Sequence, residues 1–308
     1  MHRVTLIMIG AVGLLTLSAT AMKDAKYVGS KECIACHEST HGLLVAAYLK
    51  TLHYHAMTDA GAKPAAIVAR FEADSPVKKA DVKYVLGTGR VYQNYLDKDL
   101  KVLPGKWDAN KKEWVAIDPA DGATECVGCH TTNFDPKAKT WTELGVGCES
   151  CHGPGETHAE SMEAEDIVNP RKLPGEKRSM VCGRCHAVGE DPTGKLAFSV
   201  TFLPGDDLAA HFKLKSPCPD AANSQYNDFT ASEHAKTGTK CSTCHDSHGD
   251  KAKAEHQLNR PINEQCMACH SAKLKSLKDH APSAGPKDSC ATCHMVRASH
   301  RFEKPKAN

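Results

Sequence analysis

Cys126-Val-Gly-Cys-His130, Cys148-Glu-Ser-Cys-His152 and Cys182-Gly-Arg-Cys-His186 place one spacing, Cys-x-x-Cys-His, three times in the middle of the chain. Working outward, the same spacing stands at Cys33/Cys36/His37 on the N-terminal side. On the C-terminal side it stands at Cys241/Cys244/His245, Cys266/Cys269/His270 and Cys290/Cys293/His294. The seven motifs use every cysteine of the 15 except Cys218, and each ends in histidine. Two cysteines at this spacing can form thioethers with the two vinyl groups on one edge of a haem, and the next residue then lies under the iron. A zinc ribbon would pair Cys-x-x-Cys units around a tetrahedral ion and has no reason to follow each with histidine. A disulfide framework has no use for the histidine either. The spacing predicts seven covalently bound haem c groups, with His37, His130, His152, His186, His245, His270 and His294 as proximal ligands.

The N-terminus fits the compartment in which such attachment occurs. Met1-His-Arg3 is a short basic start, Val4 to Leu17 is an apolar run, and Ala19-Thr-Ala21 is a small-residue cleavage site. This predicts a signal peptide over residues 1–21. The run is shorter than the ~20 apolar residues of a membrane span, and no transmembrane segment is expected after cleavage. Periplasmic, extracellular or outer-membrane-associated location follows. The formal charge of +2 becomes +1 without Arg3, and the propionates of seven ferric haems bring it to about −6 at neutral pH. A nucleic-acid partner is therefore not expected.

Removing residues 1–21 leaves 287, or about 41 per haem, with aromatics at 6%. So little chain per haem predicts that porphyrin faces replace Leu and Phe as the core, and that the apoprotein is largely unfolded. Leu43, Leu44, Ala47, Tyr48 and Leu52 recur at helical spacing and predict a helix over 40–57. Short β-type runs follow at 82–86, 91–96, 100–103 and 113–117, separated by turn residues, and predict a small meander. Gly87-Thr-Gly89 lies between two of these runs and lacks the third glycine of a dinucleotide fingerprint. From Cys126 onward, haem motifs are joined by short helices and Gly/Pro turns. The expected fold is mainly α with extensive irregular loops and a small N-terminal β-meander, organised around a haem chain. Two modules are expected, residues 22–120 with one haem and 121–308 with six.

Two stretches repeat each other. His234-Ala235 leads to Cys241-Ser-Thr-Cys-His245 and then His248; His280-Ala281 leads to Cys290-Ala-Thr-Cys-His294 and then His300. His55-Ala56 is a third copy of the dipeptide. The repeat suggests a haem module used more than once, with its extra histidines in equivalent positions.

Tyr27-Val-Gly-Ser-Lys-Glu-Cys-Ile-Ala-Cys-His37, Gly145-Val-Gly-Cys-Glu-Ser-Cys-His-Gly-Pro-Gly-Glu-Thr-His158 and Ser232-Glu-His-Ala-Lys-Thr-Gly238 resemble stretches of the periplasmic multihaem cytochromes. That group includes the tetrahaem acceptor of hydroxylamine oxidoreductase and the decahaem electron conduits of outer-membrane porin complexes. The resemblance implies electron transfer through closely packed haems, most of them with histidine on both faces. Setting aside the proximal histidines and His2, ten remain: His41, His53, His55, His158, His211, His234, His248, His256, His280 and His300. The repeat and the family stretches favour His55, His158, His234, His248, His280 and His300 as distal ligands, and His211 completes seven. His248 is three residues after His245, and three residues at ~3.5 Å each cannot round a macrocycle edge to reach the far face of the same iron. It is therefore expected to serve another haem, and His158, six after His152, is expected to do likewise.

Cys218, in Ser216-Pro-Cys-Pro219, reads as a loop thiol with no role, and the tail Lys304-Pro-Lys-Ala-Asn308 as an unstructured end. Three functions compete. One is an electron relay between a quinol-oxidising membrane cytochrome, other multihaem cytochromes and a terminal reductase. The second is a haem-dependent reductase acting on a small nitrogen or sulfur compound at one open haem. The third is a subunit of a conducting filament or porin complex. The Cys-x-x-Cys-Lys site of cytochrome c nitrite reductase does not occur here, no residue is assigned a catalytic role, and the relay is preferred.

Overall fold

The computed structural model describes residues 24–215, 223–252, 255–271, 280–281, 283–285 and 288–303. The signal-peptide segment, Cys218 and the tail 304–308 lie outside them. The first motif sits on the helix Ser30–Tyr48, which kinks at His41 (φ −134°, ψ 31°). The helix therefore starts earlier and stops sooner than the apolar spacing suggested. Two hydroxyls fix its end: Thr51 Oγ1 donates to the carbonyl of Tyr48 at 2.7 Å, and Tyr48 Oη donates to the carbonyl of Val146 at 2.5 Å.

Residues 57–116 hold an antiparallel sheet whose strands pair in chain order: β1 Met57–Asp59, β2 Tyr84–Leu86, β3 Tyr92–Leu96, β4 Gly105–Asp108 and β5 Glu113–Ala116. Register pairs Met57 with Leu86, Val85 with Tyr95, Gln93 with Trp107 and Trp107 with Trp114. The expected run at 100–103 is not a strand. Leu100 is left-handed (φ 67°), the Asp97 carboxylate holds the turn before it by accepting from the amides of Asp99 and Lys101, and Pro104 brings no N–H to a ladder. The strand forms one turn later, around Trp107. Gly87 and Gly89, at φ 80° and 72°, make the β2–β3 connection.

Because side chains alternate along a strand, the sheet has two buried faces. Val85, Tyr95 and Trp107 pack together on one, with Trp114 at the margin. Met57, Leu86 and Leu96 on the other join Val127, Phe134 and Phe198, and Cys126 and Cys129 pack against this second cluster. The second haem motif is thus seated on the sheet, and one cluster spans the two expected modules. A third cluster joins Ala187, Phe202, Leu208, Phe212 and Tyr226. Conventional packing is more extensive here than 41 residues per haem suggested.

Elsewhere the backbone forms short helices, each carrying or flanking a motif: Val127–His130, Glu149–His152, Gly175–Gly183, Cys241–Cys244, Ile262–His270 and Cys290–His294. The fold is mixed, with helix and a small antiparallel sheet, rather than mainly α. The reason is local: most motif helices are a single turn, closed by the next Gly or extended residue. Gly153, at φ 80°, ends the helix of the third motif in a conformation that favours glycine.

Candidate haem sites

The seven motif histidines are held by their own short helices and by packing beneath them. In the second motif the residue before Cys129 is Gly128, where a Cβ would come within 2.1 Å of Phe198 Cδ2, so only glycine lets this turn lie on the core. In the fourth, a Cβ on Gly183 would come within 2.7 Å of the Tyr226 ring. Glu149, inside the third motif, is fully buried and accepts from the backbone N–H groups of Val28 (2.9 Å), Gly29 (2.7 Å) and Gly155 (2.7 Å). This carboxylate fastens the segment entering the first motif onto the third.

Six of the motif histidines face a second histidine across a gap. The pairs, with ring-centroid distances, are His37 and His158 (6.2 Å), His152 and His248 (6.1 Å), His186 and His53 (5.9 Å), His245 and His300 (6.1 Å), His270 and His234 (5.9 Å), and His294 and His280 (5.9 Å). Two imidazoles bound to one metal on opposite faces, each at about 2 Å from nitrogen to metal, have centroids roughly 6 Å apart. All six gaps match that value. The planes are near parallel in four pairs, at 17° to 30°, and near perpendicular at His186/His53 (87°) and His270/His234 (77°).

The other ring nitrogen is fixed in many of these residues. Nδ1–H donates to a backbone carbonyl in His130 (Ala56, 2.9 Å), His152 (Val168, 2.7 Å), His245 (His256, 2.8 Å) and His294 (Glu303, 2.9 Å). The same holds for His158 (Glu163, 2.8 Å) and His300 (Ala298, 3.0 Å). This tautomer leaves the Nε2 lone pair for a metal and orients the ring. Burial holds His37, His130, His152, His186, His234, His248 and His300 below the usual imidazole pKa, and carries His53 down to about 4. Neutral imidazole is the ligating form. The donor set and the gaps therefore fit haem iron.

His130 differs. Among the described residues no second histidine ring faces it. His55 and His211, which the sequence favoured as distal ligands, also stand elsewhere. His55 packs edge-on against Tyr54 at 5.3 Å. Both nitrogens of His211 are engaged, Nδ1 at 2.9 Å from Thr201 Oγ1 and Nε2 at 3.3 Å from Asp206 Oδ2. His53, passed over in favour of His55, faces His186. Of the two remaining histidines, His41 lies beside Thr40 Oγ1 at 2.8 Å and His37 Nδ1 at 3.5 Å. His256 contributes its carbonyl to His245, from a left-handed backbone (φ 58°).

The described cysteines form no disulfide, yet thiols from different motifs lie close enough to interact: Cys33 with Cys148, Cys129 with Cys185, Cys182 with Cys241, and Cys266 with Cys290. Cys151 also lies near Cys185, and Cys244 near Cys266 and Cys269. In a Cys-x-x-Cys-His motif each sulfur is the atom that would bond a haem vinyl carbon, so sulfurs close together would bring the attached edges of two haems close together. Followed through these contacts, the motifs run one, three, four, five, six, seven, with the second branching from the fourth.

The motif cysteines, alike in sequence, are not alike in burial. Cys36, Cys269 and Cys293 are exposed, whereas the others are partly covered. Cys36 and Cys293 are the second cysteines of the first and seventh motifs, at the two ends of the path, and Cys269 is the second cysteine of the sixth, within it. Residues 35–40 of the helix Ser30–Tyr48 are exposed without a break, and no residue of the helix Cys290–His294 is buried. In each of these two motifs it is the first cysteine, Cys33 or Cys290, that turns toward a neighbouring motif. A thioether requires the sulfur to reach a vinyl carbon and does not require protein over it, so exposed sulfur at these positions is compatible with attachment.

Two family profiles match the chain, "Cytochrome c554 and c-prime" over residues 92–153 and "Doubled CXXCH motif" over residues 234–275. The multihaem cytochrome MtrA of Shewanella baltica is 26% identical over 221 residues, covering 60% of this chain and 64% of that protein. The chain belongs to the multihaem c-type cytochromes. Its motifs are those by which such cytochromes carry haem c covalently. The dissimilatory sulfite reductase MccA of Wolinella succinogenes is 28% identical over 207 residues, covering 55% of this chain. That match spans 27% of the reductase, so the chain corresponds to only part of these relatives. The outer cell wall cytochrome OcwA has the same fold, with a TM-score of 0.74 over 90% of this chain and 79% of that one at 23% identity. No helix among the described residues is long and apolar enough to cross a membrane.

Proposed function

We propose that the protein is an exported heptahaem electron-transfer cytochrome in which six haems have histidine on both faces and the haem of the second motif has His130 alone. The six ring pairs at 5.9 to 6.2 Å carry this reading. A bis-histidine iron has no free position, so it passes electrons without binding small molecules. The distal set is His53, His158, His234, His248, His280 and His300, with His53 in place of His55 and His211. The thiol contacts supply a continuous path from the first motif to the seventh, and histidine ligation without methionine keeps potentials low. The first and seventh motifs end this path, so electrons enter and leave at their haems. Other multihaem cytochromes or a quinol-oxidising membrane complex are suitable partners, in the periplasm or at the cell surface.

One observation favours a second activity on the same chain. The second motif branches from the path, and its histidine has no imidazole opposite among the described residues, so its haem can take a small neutral or anionic ligand, such as a nitrogen or sulfur compound. Carbon monoxide titration of the dithionite-reduced, secreted protein tests both readings. Haem analysis should give seven per chain, and one seventh of the Soret absorbance should shift with carbon monoxide. No shift would show the second haem to be closed, and a shift of two or more equivalents would break the ligand assignment.

A further inference from the structure

Glu255-His-Gln257 forms a single 3-10 turn in which both His256 (φ 58°, ψ 26°) and Gln257 (φ 54°) are left-handed. Neither is glycine, so this backbone is sparsely populated and persists only where its surroundings hold it. At the start of the turn, Glu255 Oε2 accepts from Arg90 Nη2 at 2.8 Å. The other bonds of the turn go to segments that carry haem-facing histidines. The His256 carbonyl accepts from His245 Nδ1 at 2.8 Å, in the fifth motif, and the Gln257 carbonyl accepts from the amide of Asp246 at 2.8 Å. The Gln257 side chain then turns back on the same loop. Its Nε2 donates to the carbonyls of Asp246 (2.8 Å) and Ser247 (3.0 Å), directly before His248.

Both amide hydrogens of Gln257 are thereby committed, and Oε1 is the atom left to accept. His53 lies close enough to this side chain for a hydrogen bond, in the sense of an imidazole N–H donating to the amide oxygen. An imidazole that gives one nitrogen to iron has the other free to donate. In His152 and His245 that donor goes to a backbone carbonyl; in His53 it meets a side chain from a turn far along the chain. The His53 ring stands at 87° to His186, nearer to perpendicular than any other of the six pairs.

We propose that Gln257 is a positioning residue joining two haem sites: its Oε1 accepts from the His53 N–H and holds that ring perpendicular to His186, while its amide hydrogens hold the loop that presents His248 to His152. The inference rests on His53 and His248 as distal ligands. The angle between two axial imidazoles has a direct spectroscopic signature. Perpendicular planes leave the two iron d orbitals that share the ferric hole nearly equal in energy, which gives a highly anisotropic low-spin resonance with one large g value. Parallel planes split those orbitals and give a rhombic resonance.

The test uses the full-length secreted holoprotein with Gln257→Leu, which removes the acceptor at nearly constant volume, and with His53→Ala beside it. Haem content and carbon monoxide binding are measured first, then electron paramagnetic resonance of the oxidised protein. The two near-perpendicular pairs, His186/His53 and His270/His234, should both contribute to the large-g signal of the parent. Gln257→Leu should lose half of that intensity and gain one rhombic haem, with haem content and carbon monoxide binding unchanged, because His53 turns without leaving the iron. An unchanged large-g signal would overturn the proposal. So would a high-spin signal with a new carbon monoxide equivalent, since Gln257 would then support the fold and not the ring angle. If His53→Ala opens no haem, the ligand assignment itself fails, and the proposal with it. If Gln257→Leu loses haem, a crystal structure of the unaltered holoprotein decides. Gln257 Oε1 within about 3 Å of a His53 nitrogen supports the assignment, and water or another group in its place refutes it.

Discussion

Glu149→Gln perturbs the smallest set of atoms for the largest structural consequence. The carboxylate is fully buried and makes three short bonds: Oε1 accepts from Val28 and Gly155, and Oε2 accepts from Gly29. Glutamine can keep the oxygen that serves Val28 and Gly155, but its NH2 then points at the N–H of Gly29. One bond to a charged acceptor is lost, at about 1.5–3 kcal/mol, and a buried donor is left unsatisfied, at roughly 1–3 kcal/mol. The two surviving bonds also lose their charge assistance. A total near 3 kcal/mol corresponds to a fall of roughly 6–12 °C in melting temperature for a chain of this size. The segment released enters the first motif, whose Cys33 lies close to Cys148 of the third, so loosening should appear at those haems first. The assay is thermal unfolding of the holoprotein followed in the Soret band, with electron paramagnetic resonance of the oxidised protein before heating. A variant melting within about 1 °C of the parent, far inside the range expected from the lost bonds, would refute the claim that this carboxylate fastens the N-terminal segment.

His53→Ala should open the haem of the fourth motif, adding a high-spin ferric signal and one further carbon monoxide equivalent, whereas His55→Ala and His211→Ala should leave both readouts unchanged. Asp191 is 7% exposed; burial pushes its pKa up, but the Thr193 hydroxyl and the amides of Leu196, Lys195 and Thr193 outweigh this and bring it down to about 2. A carboxyl whose folded pKa is depressed stabilises fully above its unfolded value near 4, and that stabilisation fades as pH falls toward 2. Asp191→Asn should therefore cost about 2 kcal/mol at pH 7 and show a shallower acid limb between pH 4 and 2, read as the difference in denaturant midpoint across that range.

The haem attachment sites were legible because thioether chemistry fixes five consecutive residues. Their exposure was not, since nothing in Cys-x-x-Cys-His distinguishes Cys36, Cys269 and Cys293, which are exposed, from Cys129 and Cys185, which lie close together and are partly covered. Distal partners have no local rule either. Spacing was informative where it excluded something: three residues cannot carry His248 around its own haem, and its ring lies opposite His152 instead. The His-Ala dipeptide drew attention to His55, but Leu52-His-Tyr-His-Ala56 offers two histidines, and the turns after Tyr48 decide which one faces His186. What His55-Ala56 supplies is the Ala56 carbonyl that orients His130. The sheet was legible at 84–86, 92–96 and 113–116 from β-branched and aromatic runs. The strand at Trp107 was not, because Gly105-Lys-Trp-Asp108 has no alternation, and its place is set by pairing with Trp114 and by Pro104 before it. Strand propensity is weak where cross-strand packing decides.

The distribution of buried apolar residues explains why the distal histidines come from where they do. The three apolar clusters lie between Met57 and Tyr226, and beyond Phe229 Leu258 is the single buried hydrophobic residue among those described. The C-terminal part cannot draw its stability from side-chain burial. Yet it holds His245, His270 and His294 opposite His300, His234 and His280, and sends His248 back to face His152. Each such pair, if closed on an iron as proposed, would be a cross-link between segments that side chains alone leave apart, and closing a loop removes freedom from the unfolded chain much as a disulfide does. The ion pair of Arg301 with the buried Asp228, at 3.0 Å, is a further long-range tie of this region to the apolar core. On the proposed ligation the path for electrons and the bracing of the C-terminal third are the same set of bonds, so exchanging a distal ligand there for redox tuning would also loosen the fold around its neighbours.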